Sequence, residues 1–414
     1  MKPSASTIQQ PQRTYSVGGV KLPRPFQIRR LGHFGYNVRD LQACLKFYRD
    51  VLGFRISDPI DFRPMIDDVA VKAALGEHSG YFMRHSGDHH SFVLFDKRAM
   101  DARRPNNPFP EVLVNQITWQ VNSLEEVVDA ARYFEDKDVP RLRSGRDTPG
   151  SNWHTYGFDP DGHIVEVYYG IEQIGWDGYS KPRSMYDRGF REVPPLPQIC
   201  EQEEVIAALD KKISPADGYV DRGVDVAKYE VQGILLPRPF VVTAIGPLKL
   251  FVGDVEVASR FYRERLGLSV TEERSVEGCR ATFLRAGGEH HSIALFDIAL
   301  RERLGVRADS TTLSFGVRVG SYAQLRAAAA WLTAAGARRV DLPSEISPGL
   351  RYSVFFEDPD NHLVELYSEM DQVGWDGRVR EPSLLPNRDV QTWPESIEPV
   401  GSTFLGEPFF GPML

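Results

Sequence analysis

Five blocks of this chain occur twice in the same order, which restricts it to a fold built from two copies of one unit. Gly-Gly-Val-Lys-Leu-Pro-Arg-Pro-Phe (18–26) returns as Gln-Gly-Ile-Leu-Leu-Pro-Arg-Pro-Phe (232–240), and Phe-Tyr-Arg-Asp-Val-Leu-Gly-Phe (47–54) as Phe-Tyr-Arg-Glu-Arg-Leu-Gly-Leu (261–268). His-His-Ser-Phe-Val-Leu-Phe-Asp (89–96) returns as His-His-Ser-Ile-Ala-Leu-Phe-Asp (290–297). Asp-Pro-Asp-Gly-His-Ile-Val-Glu-Val-Tyr (159–168) returns as Asp-Pro-Asp-Asn-His-Leu-Val-Glu-Leu-Tyr (358–367), and the trailing Gln-Ile-Gly-Trp-Asp-Gly (173–178) as Gln-Val-Gly-Trp-Asp-Gly (372–377). At 414 residues the chain is too long for one ordinary core and suits two.

The blocks lay out an N-terminal arm (1–27), a first domain (28–179), a linker rich in Pro and charge (180–230), a second domain (231–378) and a Pro-rich tail (379–414). The offset between copies falls from 214 at Phe47/Phe261 to 201 at His89/His290, so copy 1 carries 13 extra residues within Arg55 to Asp88. Such an insertion is a loop, either a lid beside a site or an inert excursion. Glu201–Lys212 is the one amphipathic stretch in the linker.

Each copy also divides in two. A strand (Leu31–Val38) leads through Asp40, an N-cap residue, into a helix with apolar Leu41, Leu45, Tyr48 and Leu52. Further strands end at Ser91–Phe95. The rhythm restarts with a strand at Gln116–Val121, a capping box of Ser123 and Glu126, a helix through Phe134, and strands at Trp153–Phe158 and His163–Tyr169. Copy 2 repeats it, with Ser321 and Gln324 at its second helix. The expected class is α+β: tandem domains, each made of two βαβββ modules that form a cupped, barrel-like sheet.

Composition narrows the partners. A net charge of −8 argues against nucleic acid and anionic membranes, which call for basic patches. No run approaches the roughly 20 apolar residues of a membrane helix, and the polar start (Met1 to Gln12) lacks a secretory apolar stretch, so a cytoplasmic protein is expected. Cys44, Cys200 and Cys279 are scattered and odd in number, which suggests neither disulfides nor a zinc cluster.

Tyr156-Gly-Phe-Asp-Pro-Asp-Gly-His-Ile-Val-Glu166, the Leu-Gly-His33 opening and the His89-His90-Ser block resemble the vicinal oxygen chelate superfamily. Within it they resemble the two-domain extradiol ring-cleaving dioxygenases. The likeness covers about residues 28–178 and 240–377. It implies Fe(II), with Mn(II) as the alternative, held by two His and one carboxylate, with open positions for a catechol-like aromatic and O2. Barrel relatives commonly assemble, so a homo-oligomer is implied as well.

Carried over position by position, the resemblance makes His33 the first ligand and Glu166 the carboxylate. An unpaired carboxylate in Ile-Val-Glu-Val-Tyr would be costly, so Glu166 needs a metal or a base. His33, Gly35 and Asn37 share a strand face, and small Gly35 would leave room beside a metal. The second His position holds Gln116, a departure with three readings: Gln116 is a weak ligand, His154 substitutes, or little metal binds. His89 or His90 matches the acid/base His, alternation turning only one inward, with a surface turn as the other reading. Tyr156 matches a substrate-contacting catalytic Tyr. Asp147 stands where relatives carry His, and Asp147, His154 and Thr118 are the candidate substrate contacts.

Copy 2 departs further. Pro247 takes the first ligand place, Thr312 the second and Phe355 that of the Tyr, leaving only Glu365. The active copy would therefore be the first, the reverse of the familiar two-domain enzymes. A glyoxalase-type isomerase or lyase is a second reading, weakened by Val93 where a further Glu is expected. A non-catalytic aromatic-binding protein is the third.

Overall fold

Alternation decides what each sheet does with its two faces. In a computed structural model describing residues 13–185, 191–223, 227–374, 376–379 and 389–397, the first copy forms one eight-stranded sheet. Its strands are β1 (Arg30–Val38), β2 (Arg55–Ile60), β3 (Gly80–Arg84), β4 (Phe92–Asp96), β5 (Val114–Gln120), β6 (Arg141–Arg146), β7 (Trp153–Phe158) and β8 (Ile164–Tyr169). They lie in the order β2-β3-β4-β1-β5-β8-β7-β6, with β1–β4 and β5–β8 parallel. The second copy supplies β9 (Val242–Val252), β10 (Ser269–Val276), β11 (Cys279–Arg285), β12 (Ile293–Asp297), β13 (Thr312–Val319), β14 (Arg339–Val340), β15 (Ser353–Glu357) and β16 (Leu363–Tyr367) in the equivalent order. The expected α+β tandem is therefore the observed fold. The first twelve residues and most of the tail lie outside the described residues. Among the described residues no helix is long and apolar enough to cross a membrane.

One face of the first sheet (Phe34, Tyr36, Ile117, Trp119, Val165, Val167) packs into the main core with the principal helices α1 (Leu41–Lys46), α2 (Leu124–Asp136), α3 (Val255–Phe261) and α4 (Tyr322–Ala334). That core is continuous through both copies: Phe315 packs edge-on to Phe34 at 5.1 Å and stacks on Phe92 at 5.3 Å. The opposite face, with His33, Thr118 and Glu166, is left for polar work.

The capping expectations were half right. Ser123 and Ser321 do accept from the N–H groups of Glu126 and Gln324. The reciprocal bonds are not made, because Glu126 accepts from the Gln27 N–H (2.8 Å) and Gln324 from the Val241 N–H (2.9 Å). Both side chains anchor the incoming arm, at equivalent positions in the two copies.

The copies clamp each other reciprocally. Tyr48 donates to Asp358 (2.9 Å) and Tyr262 to Asp159 (3.0 Å). The backbone N–H of Arg39 bonds Asp360 (3.2 Å), and that of Gly253 bonds Asp161 (2.7 Å). Arg24 reaches the carbonyl of Gly267, and Arg238 that of Asp50. The Asp-Pro-Asp and Phe-Tyr-Arg words thus meet across the junction. Tyr48→Phe should cost about 1–3 kcal/mol, since it strips the hydroxyl donor from a buried carboxylate oxygen. Tyr262→Phe should cost less, because Asp159 Oδ2 also accepts from His163 Nδ1 (2.9 Å). Denaturant midpoints in the opposite order would contradict this account of the clamp.

The extra residues of copy 1 lie between β2 and β3, where copy 2 turns directly at Glu277-Gly278. They carry a helical turn (Arg63–Met65) and a short helix (Val69–Ala74), and their Phe62, Ile66 and Leu75 build a satellite core with Ile60 and Ala99.

Candidate active site

Two bulges aim the site residues. Between the pairs Leu31↔Trp119 and Phe34↔Ile117, Gly32 and His33 stand opposite the single residue Thr118. Between Phe34↔Ile117 and Tyr36↔Val114, Asn115 and Gln116 stand opposite Gly35. The Thr118 hydroxyl takes up the unpaired backbone of the first bulge, accepting from His33 N and donating to His33 O, both at 2.6 Å. Expected as a substrate contact, Thr118 is instead fully buried and engaged in fixing His33. Gly35 does not make room for a ligand, because a Cβ there would meet the Val93 carbonyl oxygen at 2.0 Å.

Glu166 pairs with Thr118 across β8–β5, which places His33, Gln116 and Glu166 on three neighbouring strands. His33 Nε2 and Glu166 Oε2 are 3.3 Å apart, and both residues are fully buried. Neither ring nitrogen of His33 nor Glu166 Oε2 makes a hydrogen bond. The other oxygen, Oε1, accepts from Asn152 Nδ2 at 2.7 Å. Idle donor and acceptor atoms at this depth each cost about 1–3 kcal/mol unless a further group completes them. Gln116 is half-buried and lines the adjoining cavity of ≈230 Å3, a space suited to a single-ring molecule. Among the described residues no three His, Cys, Asp or Glu gather as a metal cluster.

Above this floor lies a chain of three groups. Asp58 Oδ2 meets His89 Nε2 at 2.8 Å, and His89 Nδ1 meets His90 Nδ1 at 2.9 Å. Both histidines are buried, which corrects the expectation that only one turns inward and rules out a surface turn. Gly150, with positive φ, makes the fit possible, since a Cβ there would come within 2.8 Å of the His90 ring. His90 lines the cavity and packs at 4.3 Å on the His33 ring. Burial, reinforced by His33 and His89, holds its pKa well below the usual range, so His90 is neutral.

The far wall is polar. Arg143 donates to His154 Nε2 (2.7 Å) and Asp147 (2.6 Å), and its guanidinium lies 4.7 Å over the Tyr156 ring. Arginine only donates, so the His154 proton sits on Nδ1; burial lowers the pKa of this imidazole and keeps it neutral. Alone, burial would raise the pKa of Asp147, but the facing charges, those of Arg143 and Arg191 among them, overcome it and hold the carboxyl below the usual range. Tyr156 donates to Asp147 at 3.3 Å, and burial with the charges of Glu166 and Asp147 keeps its phenol protonated. The structure therefore brings Asp147, His154 and Tyr156 together, with both His154 nitrogens turned to protein groups.

Sequence reading passed over Asp58, Arg143, Asn115 and Asn152. For Asp58 there was a signal, because copy 2 keeps an acid, Glu272, at the same offset. The three others carried none.

In copy 2 the same space is closed. Phe251, Leu313 and Phe355 replace Asn37, Asn115 and Tyr156, and join an apolar cluster. The ammonium of Lys249, the repeat equivalent of Gly35, bonds Glu365 and Ser347, and both ionic partners are fully buried. Register also corrects one equivalence. Glu365 pairs with Gly316 as Glu166 pairs with Thr118, so Ser314, not Thr312, stands at the place of Gln116.

Residues 30–167 and 244–366 match the sequence profile of the Glyoxalase/Bleomycin resistance protein/Dioxygenase superfamily. The chain is 28% identical over 144 residues to 3-methylcatechol 2,3-dioxygenase of Pseudomonas putida, covering 35% of this chain and 43% of that protein. It is 32% identical over 154 residues to biphenyl-2,3-diol 1,2-dioxygenase of Paraburkholderia xenovorans, covering 37% and 43%. The alignments thus span less than half the length of these curated relatives. The Mn(II)-bound glyoxalase of Novosphingobium aromaticivorans has the same fold, with a TM-score of 0.52 at 16% identity over 91% of this chain and 97% of its own. So does the 2,3-dioxygenase LapB of Pseudomonas sp. KL28, with a TM-score of 0.53 at 14% identity over 86% and 96%. With the profile matched over more than half of its residues, in two stretches, the chain belongs to the Glyoxalase/Bleomycin resistance protein/Dioxygenase superfamily, as a tandem pair of vicinal oxygen chelate domains with extradiol dioxygenases among its relatives.

Proposed function

We propose that this protein is an extradiol-type ring-cleaving dioxygenase acting on a dihydroxylated aromatic in its first domain. The observation that carries the reading is the pair of idle, fully buried atoms, His33 Nε2 and Glu166 Oε2, 3.3 Å apart under the cavity. A neutral imidazole and a carboxylate oriented this way fit a divalent ion, and His33, Glu166 and the amide oxygen of Gln116 would hold it. Fe(II) or Mn(II) there would supply the positive charge that favours a bound catecholate, and a place for O2.

The protein's own groups prepare the substrate. With Asp58 accepting from His89 Nε2–H, and His89 Nδ1 from His90 Nδ1–H, His90 Nε2 keeps its lone pair. It is positioned to accept a phenolic proton on the cavity side. Tyr156, held protonated, would turn its O–H from Asp147 to a substrate oxygen. Phe62, Phe82 and Phe95 wall the ring-binding space against water. Phe62 and Met65 come from the segment that copy 2 lacks, which favours the lid reading of the insertion. Val93 is buried and apolar where a four-ligand glyoxalase-type site would need a carboxylate, and this weighs against that alternative.

The test is metal content together with turnover. Protein loaded anaerobically with Fe(II) and then mixed with air-equilibrated catechols should retain about one ion per chain, consume O2 and form a yellow ring-fission product. Glu166→Ala should lose the ion, and Glu365→Ala should keep it. Failure of the wild type to retain metal overturns the proposal, as does retention by Glu166→Ala.

A further inference from the structure

The chain as a whole is acidic, at −8, yet the mouth of the domain-1 cavity is not. Five basic residues line that cavity: Lys97, Arg103, Arg104, Arg143 and Arg191. Its two acidic lining residues are already taken. Asp101 is paired with Lys97 at 2.6 Å, and Asp147 with Arg143 at 2.6 Å and Arg191 at 3.3 Å. Arg103 and Arg104 are left without a carboxylate within ion-pair distance among the described residues. Arg103 instead lies 4.8 Å over the Phe62 ring and touches the Met100 sulfur. Burial lowers the pKa of both arginines, and Arg143 pushes both the same way. Like charges held together at a concave site, in an otherwise acidic protein, focus a field that attracts anions.

A second, independent observation lies deeper in the same cavity. Asn115 is only 8% exposed, lines the space, and both of its amide atoms lack a hydrogen-bond partner; Asn37 Oδ1, beside it in the lining, is also unpaired. An amide buried in this state calls for a polar ligand rather than a hydrocarbon one. In copy 2 the equivalents of these two amides are Leu313 and Phe251, so the polar demand is confined to the open copy.

We infer that the ring taken by domain 1 carries an anionic substituent, a carboxylate, received by Arg103 and Arg104 at the mouth while the amides of Asn115 and Asn37 bind polar groups below. This deepens the dioxygenase reading and rests on it for the identity of the site. Arginine suits the role because its planar donor fork matches a carboxylate with two parallel bonds.

Anaerobic titration calorimetry on the Fe(II)-loaded protein with 3,4-dihydroxybenzoate, catechol and benzoate tests it, at low and at high salt. The carboxylated catechol should bind roughly tenfold tighter than catechol at low salt. That advantage should shrink as salt is raised and vanish in the Arg103→Gln/Arg104→Gln double variant. Equal affinities for the two catechols overturn the inference, as does an advantage that survives the double variant. Catechol turned over without any carboxylate preference sinks the anion site and leaves the dioxygenase reading standing. Salt- and arginine-dependent binding of benzoate by a protein that neither binds nor cleaves catechol does the reverse. If neither carboxylate binds, the inference falls.

Discussion

Lys249→Met should destabilise the protein by about 3–5 kcal/mol, the cost of leaving one member of a buried ion pair without its partner. The residue lies on β9 within Pro-Leu-Lys-Leu-Phe, and its ammonium bonds Glu365 on β16 and Ser347. Glu365 accepts in addition from Ser353 at 2.7 Å. With methionine at 249, the Glu365 carboxylate keeps one hydroxyl and loses its cation in an apolar surround that includes Phe355 and Leu313. The double variant Lys249→Met/Glu365→Leu should recover most of the loss, because exchanging a whole buried pair for apolar groups of similar size is often neutral. Urea unfolding of the two variants beside the wild type decides the matter. A single variant no worse than a surface substitution, or a double variant no better than the single, would falsify the claim that this pair closes the second site.

Acid should unfold the protein well before its carboxylates titrate. His290 and His291 are each 1% exposed. Burial, with Arg274 and Arg285 adding to it, lowers the pKa of His290 to about 3; burial, then His290, Lys249 and Arg274, holds that of His291 well below the usual range. Glu272, 3.9 Å from His290, is too weakly placed to reverse this. His85, half-buried beside Asp88 and Arg30, is lowered to about 4, chiefly by burial, and contributes less. These folded values lie below the unfolded one, so the unfolded chain binds the extra protons. Stability is therefore full above about pH 6.5 and falls as pH drops toward 4, by roughly 1.4 kcal/mol per pH unit for each fully buried histidine. Asp147, whose pKa is depressed, adds a separate loss only below about pH 4. Denaturant midpoints at pH 7, 6 and 5 should fall in step, and a profile flat to pH 4.5 would rule this linkage out.

The duplication and the α+β rhythm were legible because repeats and period-two alternation are local signals. The candidate ligand positions stood out for the same reason: Glu166 in an apolar strand is conspicuous, and the amide at Gln116 is visible without coordinates. What could not be read were contacts that alternation does not fix. Lys249 looks like a solvent-facing residue until β9 and β16 are set two strands apart in one sheet and the lysine is found to reach Glu365, 116 residues on in the chain. Thr118 looked like a pocket residue because bulges are silent in sequence, and its hydroxyl answers to one. Glu126 and Gln324 fitted the capping pattern, but an incoming arm whose backbone N–H groups needed acceptors competed for them. Arg143 sits on an outermost strand of mixed charge, where polarity ordinarily means solvent.

Two words that recur unchanged between the halves cross the junction: Phe-Tyr-Arg in one half meets Asp-Pro-Asp in the other, twice over. Part of what the halves retain in common is therefore mutual support rather than shared chemistry. The second half departs from the first at Pro247 and Phe355 but keeps Tyr262 and Asp358, which bond across the junction. For anyone cutting this protein down to a single domain, the closed half is therefore not spare material. The excised first domain would need a new donor for Asp159 and a new acceptor for Tyr48 before it could stand alone.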